Sequence, residues 1–133
     1  MGVKFMKIDL RIKLILILSI LLVSSPALIA DEVSKDYWVD SMKTALPTTF
    51  CQSMHFFRQC FDVNEDQCIE TAALATKICL HKYINQIPDI LNQPKDGAKW
   101  GNIIGQCAGE NYHATLSRKF KDTKECNDIN HWK

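Results

Sequence analysis

The side chains able to do chemistry in this chain are four histidines (His55, His81, His113 and His131), six cysteines (Cys51, Cys60, Cys68, Cys79, Cys107 and Cys126) and a group of carboxylates at Asp62, Glu65, Asp66 and Glu70. A cysteine nucleophile needs a free thiol, and an even set of six cysteines reads as pairs, which leaves none. Ser53 stands beside Met54 and His55 but lacks the G-x-S-x-G context that exposes a serine nucleophile on a sharp turn. Glu110 and His113, three apart, would share one helix face in the manner of carboxylate–histidine metal sites. A complete site of that kind needs further ligands from other helices, so a structural or surface role is expected for this pair. The acidic group suits a solvated helix start better than paired general acids and bases. No cofactor or metal is implied, and no stretch carries a named family's functional motif.

The cysteines point to compartment and frame. None is spaced C-x2-C to C-x4-C as structural zinc sites require, and C-x-x-C-H is absent. All six follow residue 30, after a stretch with the layout of a secretory signal: Lys4, Lys7, Arg11 and Lys13, then the apolar "LILILSILLV" of residues 14–23, then "SSPALIA". Cleavage is expected after Ala30, with Ala27 as the alternative because Leu28 is large for the −3 position; Met6 is an alternative start. Residues 14–30 fall short of the roughly 20 apolar residues of a spanning helix, so no stable membrane anchor is expected after cleavage. Three disulfides in a secreted or periplasmic protein follow from this context. Removing residues 1–30 takes Lys+Arg from 16 to 12 and Asp+Glu from 15 to 14, a balance of 12 − 14 = −2. That gives no electrostatic case for nucleic-acid binding. The one basic cluster, "SRKFKDTK" at 117–124, reads as a solvated helix end.

Positioning these residues falls to helices. Periodicity predicts a single all-α domain over residues 31–133, of about four helices. The first is expected over 34–46 with Ser34 as N-cap and Pro47 as its end, and the second over 48–61 with Phe50, Met54, Phe57 and Phe61 on one face. The third opens at Asn64 with a capping box to Gln67 and runs to Pro88, lining Cys68, Ala72, Ala75, Cys79 and Tyr83 on one face. After a connector over 88–96 holding at most a short turn, the fourth is expected from Gly97 to Phe120 with Asp96 as N-cap, followed by an irregular tail tied down by Cys126. Cys68 and Cys79 share a helix face but stand about 16.5 Å apart, so both must bond outward. A hairpin turning near Val63 favours Cys60–Cys68; Cys51–Cys79 and Cys107–Cys126 complete that scheme, among fifteen connectivities.

Gly97, Gly101, Gly105 and Gly109 recur every four residues, and only Gly2 lies elsewhere. In a helix interior each costs about 0.8–1.0 kcal/mol against alanine, which a close contact must offset. The expected contact is internal, against Ala72, Ala73 and Ala75; a loop over 97–101 and an exposed docking groove are the alternatives. With no catalytic signature, the chain reads as an exported, non-enzymatic binding protein of the bacterial cell envelope or secreted fraction, with a protein partner, of inhibitor or immunity type. A small secreted hydrolase using His55 or His81 with a carboxylate, or a structural accessory of an envelope machine, is the alternative.

Overall fold

A computed structural model describes residues 31–132; the expected signal segment, residues 1–30, lies outside the described residues. The fold is a small helical domain with three disulfides, as periodicity predicts. Its elements are β1 (Glu32–Ser34), α1 (Lys35–Phe50), α2 (Phe56–Gln59), α3 (Glu65–Tyr83), β2 (Ile90–Asn92), α4 (Lys95–Thr115), a 3-10 turn at Ser117–Lys119, α5 (Lys124–Asn127) and a last 3-10 turn at Ile129–Trp132. α3 is the central element and packs against both α1 and α4. No helix among the described residues is long and apolar enough to cross a membrane.

Ser34 caps α1 by accepting the Tyr37 N–H. The helix does not stop at Pro47, which lies buried in its last turn. There the ring removes only its own N–H; the Pro47 carbonyl still accepts from Cys51 at 3.1 Å. The hydroxyls of Thr48 and Thr49 bond back to the carbonyls of Thr44 and Ala45 at 2.8 and 2.9 Å. The helix expected over 48–61 is therefore two things: the end of α1, and the single turn of α2 after a bend at 51–55. α3 starts as read, with Asn64 and Gln67 forming a reciprocal capping box. It ends at Tyr83, short of Pro88, and Ile87 turns back into the core.

The connector over 88–96 holds a strand that periodicity does not show. β2 pairs antiparallel with β1, Val33 opposite Leu91. Strands of three residues offer no alternation to read; their order comes from partners distant in sequence. The Asp31 carbonyl accepts from Gln93 N–H at 2.8 Å, and Lys35 reaches Asp89 Oδ1 at 2.5 Å, which holds that carboxyl below its usual range. Asp96 is not the N-cap of α4. It sits inside the first turn, accepts the Asn92 N–H at 2.9 Å and so ties β2 to the helix; that bond lowers its pKa. α4 ends at Thr115, because residues 117–121 turn away to pair with the segment around Phe61. The basic cluster at 117–124 is solvated, as expected; it follows the end of α4 as a 3-10 turn and one bridge residue, Phe120.

All six cysteines are paired, but not as the hairpin scheme expects. The bridges are Cys51–Cys68, Cys79–Cys107 and Cys60–Cys126, with Cα separations of 5.8, 5.9 and 5.5 Å. Cys60–Cys68, Cys51–Cys79 and Cys107–Cys126 are all overturned by one cause: Cys51 and Cys60 do not share a helix. Cys51 caps α1 and meets the start of α3; Cys60 follows α2 and meets the tail; Cys79 and Cys107 join α3 to α4 mid-helix. The tail is tied down by Cys126, to Cys60.

The glycine stripe is fully helical, which excludes a loop over 97–101, and none of its φ angles is positive. A spacing of four drifts about 40° per step, so three steps carry the row about 120° around the helix. It starts half exposed and enters the core only at Gly109. The buried stripe of α4 is Trp100, Ile104, Cys107, Ala108, Gly109 and Tyr112. A Cβ at Gly101 would meet open space, and one at Gly105 only Leu46 Cδ1 at 3.9 Å. At Gly109 it would come within 2.9 Å of Phe57 Cζ. The expected packing of the stripe against Ala72, Ala73 and Ala75 is not formed; its close contacts fall at its two ends, Gly97 against the Gln93 side chain and Gly109 against an aromatic ring.

Candidate functional site

The exposed aromatic end of the molecule is built by two segments far apart in sequence. The bend and turn at 54–59 supply Met54, His55, Phe56 and Gln59; the C-terminal turns supply Phe120, Ile129, His131 and Trp132. Phe61 and Phe120 form an isolated antiparallel bridge, flanked by Asp62 N–H to the Lys119 carbonyl and Lys121 N–H to the Cys60 carbonyl, both 2.8 Å. Cys60–Cys126 then clamps α5 to the same place. The Trp132 indole N–H donates to the Glu125 carbonyl at 2.8 Å, which fixes the final aromatic ring.

Beneath lies an aromatic cluster. Phe57 stacks on Phe50 with centroids 4.1 Å apart and meets Tyr112 edge-on at 5.0 Å. Phe61 is fully buried between Tyr112 and Phe120 at 5.1 and 5.4 Å. Tyr112 donates its hydroxyl to the Phe57 carbonyl at 3.1 Å, and burial pushes its pKa to about 12 against the opposing pull of Arg58.

Two adjoining grooves open above this cluster and share Phe56 and Trp132. One, about 410 Å3, is completed by Met54, His55, Gln59 and His131. The other, about 440 Å3, is more apolar and is completed by His113, Phe120, Cys126, Asn127 and Ile129. Met54 and Ile129 stand 81% and 76% exposed at their edges. A third groove of about 210 Å3 lies elsewhere, between α1 and α3, lined by His81, Lys43, Lys77, Val39, Leu80 and Ile84.

Three of the four histidines thus come to one end. His55 stacks near Phe50 and Phe57, its Nδ1 is buried without a hydrogen-bond partner, and burial lowers its pKa. His113 lies against Phe61 and Phe120, at 5.5 and 5.3 Å, and His131 meets Trp132 edge-on at 4.8 Å. Among the described residues, no carboxylate lines either groove at this end or the groove of His81. Glu110 accepts instead from Gln106 at 3.0 Å, away from His113's ring partners. Asp62, Glu65, Asp66 and Glu70 are all exposed, Glu65 and Asp66 in the first turn of α3. Among the described residues, no three His, Cys, Asp or Glu side chains are placed to hold a metal ion.

Residues 32–120 match the family described as T2SS substrate NttA, where T2SS is the type II secretion system. The chain belongs to that family. Its members are named as secreted substrates, so this NttA-family chain is placed among secreted proteins. Among curated proteins and solved structures, none matches it. The matched span stops at Phe120, so α5 and the turn bearing Trp132, which complete both grooves, lie beyond it.

Sequence reasoning missed Met54, Phe56, Phe120, Ile129 and Trp132 as site residues. A signal was present: Ile129 and Trp132 are large apolar residues inside the polar run "CNDINHWK", where nothing in local structure asks for them.

Proposed function

We propose that this protein is exported through the periplasm and acts outside the cell as a non-enzymatic binding protein with a protein partner, in the manner of an inhibitor or immunity-type protein that covers a partner's working surface. The observation that carries this reading is the aromatic end, where large side chains such as Met54 and Ile129 stand in solvent on a disulfide-held frame. Contiguous apolar surface of that kind marks interaction sites. Fixing it beforehand lowers the ordering cost of association. Membership of a family of T2SS substrates supports the export part. A hydrolase built on His55 or His81 gains no support from the grooves, since neither histidine shares its groove with a carboxylate.

The test is capture with the oxidised protein beginning at Asp31, from envelope and culture fractions of its own cells. A stoichiometric protein is expected, and Ile129→Asp or Met54→Asp should release it while leaving the thermal midpoint unchanged. Capture of nothing, or of a partner indifferent to both substitutions, overturns the reading.

A further inference from the structure

Among the described residues, the groove formed by Met54, His55, Phe56, Gln59, His131 and Trp132 contains no Asp, Glu, Lys or Arg. A phosphate, a nucleic acid or an acidic peptide would find no fixed counter-charge there, and burying its charge unpaired is costly. The groove therefore suits an uncharged ligand. Its broad surfaces are two aromatic rings, Phe56 and Trp132, that meet at 76° and 5.6 Å, so neither is stacked shut by the other. The only donor of Trp132 is spent on the Glu125 carbonyl, so the ring has its π surface to offer. The Gln59 side-chain nitrogen donates to the Ser53 carbonyl, which leaves Oε1 as the free acceptor of that amide. His131 adds an exposed imidazole; His55 also lines the groove, with its Nδ1 buried.

Two aromatic platforms with an amide acceptor and imidazole nitrogens around one cleft complement a ligand that has a C–H face and a rim of hydroxyls. An aliphatic peptide side chain would cover the rings but use neither the Gln59 acceptor nor the His131 imidazole. The volume of about 410 Å3 falls within the usual range of small-molecule sites. We propose that this groove binds a neutral saccharide, with Trp132 and Phe56 as the stacking platform and Gln59 and His131 as the hydrogen-bonding edge. The inference stands apart from the protein partner proposed above; neither requires the other.

The experiment titrates the oxidised, 15N-labelled protein beginning at Asp31 with glucose, galactose, mannose, N-acetylglucosamine and a neutral capped tripeptide. The Trp132 indole N–H and the Gln59 side-chain amide are followed, with the buried Trp38 and Trp100 indoles as internal controls. At least one sugar is expected to give saturable shifts centred on Trp132 and Gln59, leaving both controls unmoved. Gln59→Ala, which keeps the aromatic pair, should weaken that sugar by about tenfold, the equivalent of about 1.4 kcal/mol. Trp132→Ala should remove saturable binding. Absence of saturable shifts with every sugar, shifts centred elsewhere, affinity unchanged in both variants, or saturation by the tripeptide alone would each overturn the proposal.

Discussion

α1, α3 and the first part of α4 make a helical frame closed by two bridges, Cys51–Cys68 and Cys79–Cys107, that span 17 and 28 residues. At the end of that frame where α1 stops and α3 starts, the 54–61 segment and the C-terminal turns make a surface closed by one bridge, Cys60–Cys126, that spans 66. The frame buries Trp38 and Trp100 singly among small and aliphatic side chains (Ala72, Ala75, Leu80, Ile104) along helix faces, whereas that end stacks aromatics on one another that come from turns and helix ends. α4 runs through both regions, and its glycines show the contrast in one element: Gly101 faces open space and Gly109 sits against Phe57. A frame held by contacts between regular helices can carry a surface assembled from irregular chain, provided one long-range link holds that chain down.

Breaking that link should have the largest effect. In the chain-entropy picture a loop of 66 residues is worth about 4 kcal/mol, against about 3 kcal/mol for the bridge of 17. Cys60→Ala with Cys126→Ala should therefore lower the thermal midpoint most among the three bridge deletions, and free the Trp132 indole N–H to exchange, while far-UV circular dichroism keeps the frame's helices at lower temperature. Helix content falling together with the indole protection would show one cooperative unit and end the distinction between the regions.

Next in size is Gly109→Leu. Its side chain must enter the space of a stacked Phe57, and overpacking of this kind costs about 1–3 kcal/mol, read as a shift of the denaturant midpoint. Gly109→Ala should destabilise less, since helix propensity returns about 0.8–1.0 kcal/mol.

Tyr112→Phe should cost about 0.5–1.5 kcal/mol by leaving the Phe57 carbonyl without its donor. It carries a pH signature as well. The folded-state pKa of Tyr112 stands near 12, above its ordinary value of 10.0, so the fold favours the protonated phenol. That stability is fully present below pH 10 and is lost as pH rises from 10 toward 12. Alkaline destabilisation across this window should accordingly be shallower in Tyr112→Phe than in the parent; equal slopes would remove Tyr112 from the account.

The smallest effect has the opposite sign. Gly101→Ala adds a methyl into open space in a helix interior and should stabilise by about 0.8–1.0 kcal/mol. If Gly101→Ala and Gly109→Ala shift the midpoint alike, the two ends of α4 do not differ as described.

Legibility in the sequence follows the range of the interaction responsible. The capping box at Asn64 and Gln67 and the buried face of α3 were readable because they depend on residues three and four apart. The break at 51–55 was not, because Phe50, Met54, Phe57 and Phe61 also mimic a helical face; that one misreading propagated into all three bridges. The histidines were legible as candidates. Their gathering at one end was not, since it depends on α2 and the tail meeting across 66 residues.

By itself, the sequence determined the helical class, the completeness of cysteine pairing and the start of the central helix, all of which follow from composition and from contacts within one turn. Only the tertiary structure decided which cysteines meet, that β1 pairs with β2, that the glycine stripe makes its close contacts at Gly97 and Gly109 alone, and that Met54, His55 and Phe56 share a surface with Ile129, His131 and Trp132. Each of these depends on where the chain returns to itself in space, and hydrophobic periodicity carries the phase of a segment without the identity of its neighbour.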